Sequence, residues 1–328
     1  MIDHSMATAP IEAREGRRTS LTLPAAGDET VRCDLYPPSE TVPADWGVVV
    51  APGYGSVKDL MEDWGWSLAD RGHVTCVVGY RGYGTEPDQR GRIFPQEHVE
   101  DVRAAVRWMK SEDGGRLSHV VVIGVSYGGA VALEVAAGES LVDAVVSIVG
   151  YGSGARSLQR PRDTEQWAGL LERVADDRRR RAITGASAPI TLDEILMRDD
   201  EGKKWRERVE AEYPNMRFDV TVESLERLLE FAPDRHLPFS RPVPILIILA
   251  ERDRMIPRSE GMIVYDKAGQ PKRLVVIPEA DHHDVHHGPA FERCISEIDD
   301  SLREWRRLTE REANGHGNPA GQETGGGA

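Results

Sequence analysis

The stretch Val120-Val121-Val122-Ile123-Gly124-Val125-Ser126-Tyr127-Gly128-Gly129-Ala130-Val131-Ala132-Leu133-Glu134-Val135-Ala136-Ala137 decides the fold. It opens on a β-branched run, passes through Gly-x-Ser-x-Gly and ends on alanine-rich helix formers. Its apolar content tempts a membrane-span reading, but Gly124, Ser126, Gly128 and Gly129 interrupt it and Glu134 charges it. A buried strand, a tight turn and a helix fit better. A serine in such an elbow sits on a strained backbone with its hydroxyl exposed, and glycines flank it because a Cβ there would collide with strand and helix. The helix amino terminus adds unpaired N–H groups and a positive field for developing negative charge. The bare pattern is weak in a chain with 32 glycines. The strand before it and the helix after it make it specific.

Working outward, a hairpin is expected over Leu21–Leu23 and Val31–Tyr36. Buried strands follow at Gly47–Ala51, Val74–Gly79, Val120–Gly124, Ala144–Val149, Ile245–Ala250 and Leu274–Ile277. Their runs are β-branched and do not alternate, as strands covered on both faces require. Between them lie apolar stripes at helical spacing: Leu60, Trp64 and Leu68; Val99, Val102, Val106 and Met109; Phe291, Ile295, Ile298, Leu302 and Trp305. The alternation predicts an α/β fold, a doubly wound and mostly parallel sheet led by an antiparallel hairpin. It breaks once, where no strand-like run is seen. Trp167, Leu170, Leu171 and Val174 make one stripe there, Leu225, Leu228, Leu229 and Ala232 another, and Thr191 with Glu194 a capping box. The expected division is a core over 17–151 and 242–310, a helical cap inserted at 152–241, and poorly ordered ends at 1–16 and 311–328.

The chain has 328 residues with 41 basic and 55 acidic side chains, a net charge of −14, and is 40% hydrophobic. That is a soluble globular composition, long enough for a sizeable core. The acidic balance opposes nucleic acid and anionic membranes, so neither is expected as a partner. Cys33, Cys76 and Cys294 form no metal or disulfide pattern and read as buried thiols of a reducing compartment. No secretory signal is visible, and cytoplasmic residence is expected. Trp46, Trp64 and Trp66 suit a pocket, a core or a subunit interface, so a homodimer stays open.

A nucleophilic serine needs a base, and the base an orienting acid, here in the chain order Ser, acid, His. Asp253 lies in a loop just past the strand Ile245–Ala250, where open α/β sheets gather their functional groups. Glu251 is its minor rival, and pairing with Arg252 or Arg254 the bland alternative. After the next strand the chain reads Pro278-Glu279-Ala280-Asp281-His282-His283-Asp284-Val285-His286-His287. His282 comes first past the strand and is the expected base; His283 is the main rival. The spacing of His282 with His286, or His283 with His287, also suits a metal on a helix, but Gly288-Pro289 leaves little helix to align them. No metal or organic cofactor is expected. Two N–H donors should receive an oxyanion: the amide of Tyr127 and that of Tyr54, in the loop Ala51-Pro52-Gly53-Tyr54-Gly55.

Together the elbow at Ser126, Pro52-Gly53-Tyr54, Tyr80-Arg81-Gly82-Tyr83-Gly84, Asp253 and His282 resemble the α/β-hydrolase family over about Leu21 to Leu308. Within it, the run His282–Pro289 is most similar to bacterial dienelactone-hydrolase-like and S15-peptidase-like members. The chain departs from both, having serine where dienelactone hydrolases use cysteine and lacking the extra β-domain of S15 peptidases. The resemblance implies cofactor-free hydrolysis of a small acyl substrate through an acyl-enzyme. Ester, thioester, lactone, amide and carbon–carbon bonds remain open, as do acyl transfer or cyclisation and a non-catalytic binding protein. An aminopeptidase would need an amine clamp, for which Asp199, Asp200 and Glu201 are candidates, and Trp167 and Trp205 are candidate walls of the capped site. The run Arg178–Arg181 reads as a solvated helix end.

Overall fold

The strand before Ser126 lies at the centre of an eight-stranded sheet. The computed structural model describes residues 17–38, 46–84, 91–196, 200–213 and 219–315. Strand order is β1 (Thr19–Pro24), β2 (Thr30–Tyr36), β4 (Val74–Gly79), β3 (Trp46–Ala51), β5 (His119–Val125), β6 (Ala144–Ile148), β9 (Ile245–Ala250), β10 (Lys272–Ile277). The pairs β1–β2 and β2–β4 are antiparallel and the rest parallel. The α/β class and the leading hairpin are therefore as expected. One strand differs: β10, expected to be buried, is half-exposed, and Val276 is 37% exposed, because β10 is the outer edge and pairs only with β9.

Helices α1 (Glu62–Ala69) and α10 (Gly288–Gly315) cover one face of the sheet. Their buried stripes are those the spacing marks, Trp64 and Leu68 on α1, and Ile295, Ile298 and Leu302 on α10. The latter helix continues past the boundary expected at 310. Helices α2 (Pro95–Lys110), α3 (Tyr127–Gly138) and α9 (Arg258–Lys267) cover the other face. Trp46, Trp64 and Trp66 are all core residues, 1–3% exposed. The three cysteines are free and buried.

Between β6 and β9 the chain leaves the sheet and forms α4 (Gly154–Gln159), α5 (Thr164–Thr184), α6 (Leu192–Leu196), α7 (Asp200–Glu212) and α8 (Val222–Glu230). The expectation of no strand there is corrected: β7 (Pro189–Thr191) pairs antiparallel with β8 (Asp219–Thr221). Three-residue strands are too short to show periodicity, and their residues read as the helix caps that follow them. The Thr191–Glu194 box is formed, the Thr191 hydroxyl accepting from the Glu194 N–H at 3.2 Å. A second box, Asp163 with Gln166, starts α5. The arginine run is exposed at Arg178–Arg180, but Arg178 and Arg181 also pair with Glu226 of α8. An ion cluster built on two buried carboxylates, with half-exposed cations, ties this segment to the sheet side. Arg156 donates to Glu260 on α9 at 2.7 and 2.8 Å and to Asp234 at 2.9 Å, and Lys267 donates to Asp234 at 2.9 Å.

Beneath the elbow lies a second buried polar group. His98 of α2, 1% exposed, has Nε2 3.2 Å from the Arg81 carbonyl and Nδ1 3.0 Å from the Tyr127 hydroxyl. A carbonyl only accepts, so Nε2 carries the proton and Nδ1 accepts from Tyr127. Burial pushes His98 down from 6.5 to about 3, because an imidazolium there would lose its hydration.

Two outcomes follow from this packing. A Cβ at Gly128 would collide with the Ala51 carbonyl oxygen, so Gly128→Ala should lower unfolding free energy by about 3 kcal/mol, read from urea midpoints; an unchanged midpoint would contradict the packing. For His98 the unfolded state takes up the proton first as pH falls. Its stability contribution is therefore full above about 6.5 and is lost as pH drops toward about 3. In His98→Gln the pH slope of unfolding free energy over that window should be shallower by about 1.4 kcal/mol per pH unit. Equal slopes would show that His98 titrates normally.

Candidate functional site

Ser126 occupies the turn between β5 and α3 with φ 58° and ψ −122°. Strain of this kind costs about 1–3 kcal/mol and persists only where surrounding bonds impose it. Here the Ser126 N–H donates to the Ile148 carbonyl at 2.8 Å, and the Ser126 carbonyl accepts from the Gly129 N–H at 2.9 Å. A Cβ at Gly124 would strike the Gly128 carbonyl oxygen, so the strand and helix meet only because glycine stands there.

The loops after β9 and β10 are joined to each other. The Glu251 N–H donates to the Ile277 carbonyl at 3.1 Å and the Arg252 N–H to the Ala280 carbonyl at 2.8 Å. Glu251, weighed as a rival acid, accepts from the Glu279 N–H at 2.8 Å and serves this junction. Arg252 pairs with Glu279 at 3.2 Å. Asp253 is left to face His282: its Oδ2 lies 2.7 Å from His282 Nδ1, while Oδ1 accepts from the Met255 and Ile256 amides at 2.9 and 2.8 Å. Both carboxylate oxygens are thus held, and the side chain is 2% exposed. With Nδ1–H given to Asp253, the lone pair of His282 Nε2 faces Ser126 Oγ at 3.0 Å.

The structure thus brings Ser126, His282 and Asp253 into one hydrogen-bonded chain across residues far apart in sequence. His283 is not in it. Its ring stacks on Trp205 with centroids 4.9 Å apart and planes at 9°, forming a wall. His286 accepts from Trp64 Nε1 at 3.4 Å, and burial pushes it down to about 3. Among the described residues no group of three His, Cys, Asp or Glu side chains gathers as a metal site.

Tyr127 is the first residue of α3, where an N–H has no intrahelical carbonyl to reach. The loop carrying Tyr54 approaches from β3, and a Cβ on Gly53 would lie 3.6 Å from Ser126 Cβ. The Tyr54 and Tyr127 rings meet edge to face at 5.4 Å.

A pocket of about 770 Å³, counted out to its mouth, opens on Ser126 and His282. Leu158, Leu196, Trp205, Leu228, Met255 and Ile256 give it apolar walls, and no Asp, Glu, Lys or Arg lines it among the described residues. Trp205 reaches the pocket, whereas Trp167 packs against the core without lining it. Of the proposed amine clamp, Asp199 lies outside the described residues, as do the side chains of Asp200 and Glu201. Sequence reasoning missed His98. Its signal was a histidine aligned with Val102, Ala105 and Met109 on the buried side of α2, an apolar-face position holding a polar ring.

A family model described as serine aminopeptidase, S33, matches residues 43–288. An uncharacterized 31.7 kDa protein from the traX-finO intergenic region of Escherichia coli is 24% identical over 251 residues, 76% of this chain and 87% of that protein. The thiohydrolase aneE of Aspergillus aculeatus is 22% identical over 258 residues, 75% of this chain and 81% of its own. Among solved structures, the α/β hydrolase GrgF from Penicillium sp. superposes with TM-score 0.69 at 19% identity, covering 88% of this chain and 98% of that one. Among the described residues no helix is long and apolar enough to cross a membrane. The sheet order, the strained serine elbow and a family match spanning most of the chain agree: the protein belongs to the S33 family of α/β hydrolases.

Proposed function

We propose that the chain is a serine hydrolase that cleaves a carboxylic ester, or a related small acyl compound such as a thioester, through an acyl-enzyme. The observation that carries this reading is the chain Ser126 Oγ–His282 Nε2 at 3.0 Å and His282 Nδ1–Asp253 Oδ2 at 2.7 Å, opening into a pocket without charged lining among the described residues.

In this mechanism His282 Nε2 takes the Ser126 proton as Oγ attacks the substrate carbonyl. Asp253 holds the imidazole in the required tautomer and stabilises the imidazolium. The amides of Tyr127 and Tyr54 receive the oxyanion, each worth about 3 kcal/mol at the transition state. His282 then returns the proton to the leaving group, water enters, and the same steps reversed release the acid. Residues 152–241 act as a cap, whose Leu158, Leu196, Trp205 and Leu228 wall the acyl site. The name thiohydrolase carried by one relative agrees with an acyl substrate. Likeness to the dienelactone-hydrolase-like and S15-like group rests on the run His282–Pro289 and belongs to the same proposal, as does a cytoplasmic location.

The test is steady-state turnover of p-nitrophenyl esters, acyl thioesters and aminoacyl anilides. Ser126→Ala and His282→Ala should each lower kcat/KM on the best ester by roughly 10⁴-fold or more, and His283→Ala by no more than about tenfold. Retained turnover in Ser126→Ala, or the reverse order of the two histidines, would overturn the assignment. Anilides turned over faster than esters would move it to the peptidase reading.

A further inference from the structure

Tyr80-Arg81 follows β4 and touches no substrate in the mechanism above, yet it lies behind both segments that bear the oxyanion donors. The Tyr80 hydroxyl donates to the Pro52 carbonyl at 3.2 Å, fixing the loop that leads to Tyr54. The Tyr80 ring lies flat on the His98 imidazole, centroids 4.0 Å apart and planes at 3°. The same imidazole accepts from the Tyr127 hydroxyl at 3.0 Å, on the residue that follows the nucleophile. Its other nitrogen donates to the Arg81 carbonyl at 3.2 Å. Arg81 is in turn anchored by Asp101, which is fully buried, takes the Arg81 N–H at 2.9 Å and pairs with the guanidinium at 2.6 Å.

We propose that His98 is a positioning residue for the oxyanion pocket: one buried ring holds the Tyr127 side chain by a hydrogen bond and, through the stacked Tyr80, the loop bearing Tyr54, fixing the two donor amides relative to each other. The inference rests on the serine-hydrolase reading. Two amides on separate segments stabilise an oxyanion only if their spacing is set beforehand, since reorganising them during the reaction would forfeit the gain. The elbow sets the Tyr127 amide against Ser126. The His98 stack couples the other segment to it, and the imidazole has one donor and one acceptor, both used, so its orientation is single-valued.

The experiment compares wild type, Ser126→Ala, Tyr127→Phe and the double variant His98→Leu/Tyr127→Phe on a p-nitrophenyl ester. It also measures inhibition by a trifluoromethyl ketone of the same acyl length, whose hemiketal oxyanion occupies the donor pocket. Tyr127→Phe keeps the amide and removes only the hydroxyl. It should lower kcat about tenfold, the scale of a small misplacement, leave KM within about twofold, and weaken ketone inhibition by the factor lost in kcat/KM. The double variant removes both members of the Tyr127–His98 bond together, at the cost of the donor to the buried Arg81 carbonyl. It should lower the thermal midpoint through the orphaned Arg81 carbonyl, remain folded at assay temperature, and show a kcat no higher than Tyr127→Phe. Values of kcat and ketone affinity within twofold of wild type in both variants would overturn the positioning role, whatever happens to stability. Turnover retained in Ser126→Ala would instead overturn the hydrolase reading on which it rests.

Discussion

At one point in this molecule three backbones must pass within contact distance, and the rest of the architecture accommodates that crossing. The end of β5, the start of α3 and the end of β3 converge where side chains on Gly124 and Gly128 would strike carbonyl oxygens of neighbouring segments. Ser126 is left in a positive-φ conformation held by hydrogen bonds to Ile148 and Gly129. The cost of that conformation is met by the parallel strands on either side, which bury nearly every residue they contribute. The result is a hydroxyl lifted off the carboxyl end of a central strand at the amino terminus of a helix, its backbone held by the surrounding fold.

Much of this was readable in the residues because the central strands are covered on both faces and therefore carry unbroken β-branched runs. The serine, aspartate and histidine of the site each sit just past such a run, so their positions followed from strand ends, and the structure brings all three together. What could not be read were features carried by tertiary contact alone. The ladder β7–β8 is too short to leave a period. The exposure of β10 depends on its place at the sheet edge, which composition does not show. Among four clustered histidines the place of His282 just past the strand marked it as the base, whereas the packing of His283 on Trp205 and of His286 on Trp64 left no local pattern. The ion cluster of Arg156, Glu260 and Asp234 spans residues too distant for any local pattern.

The charge arrangement around the site separates two environments. Asp253 is held by one imidazole and two amides in a nearly dry location, with no arginine partner among the described residues. The described pocket walls carry no Asp, Glu, Lys or Arg and are largely apolar. A cavity of this kind strengthens any hydrogen bond made inside it.

The central claim is that this geometry makes Ser126 a nucleophile, and intact-mass analysis after treatment with an alkyl fluorophosphonate tests it most directly. The account predicts a single adduct, mapped by peptide sequencing to Ser126 and absent from protein unfolded before treatment. No adduct on the folded protein, or one on a different residue, would contradict it.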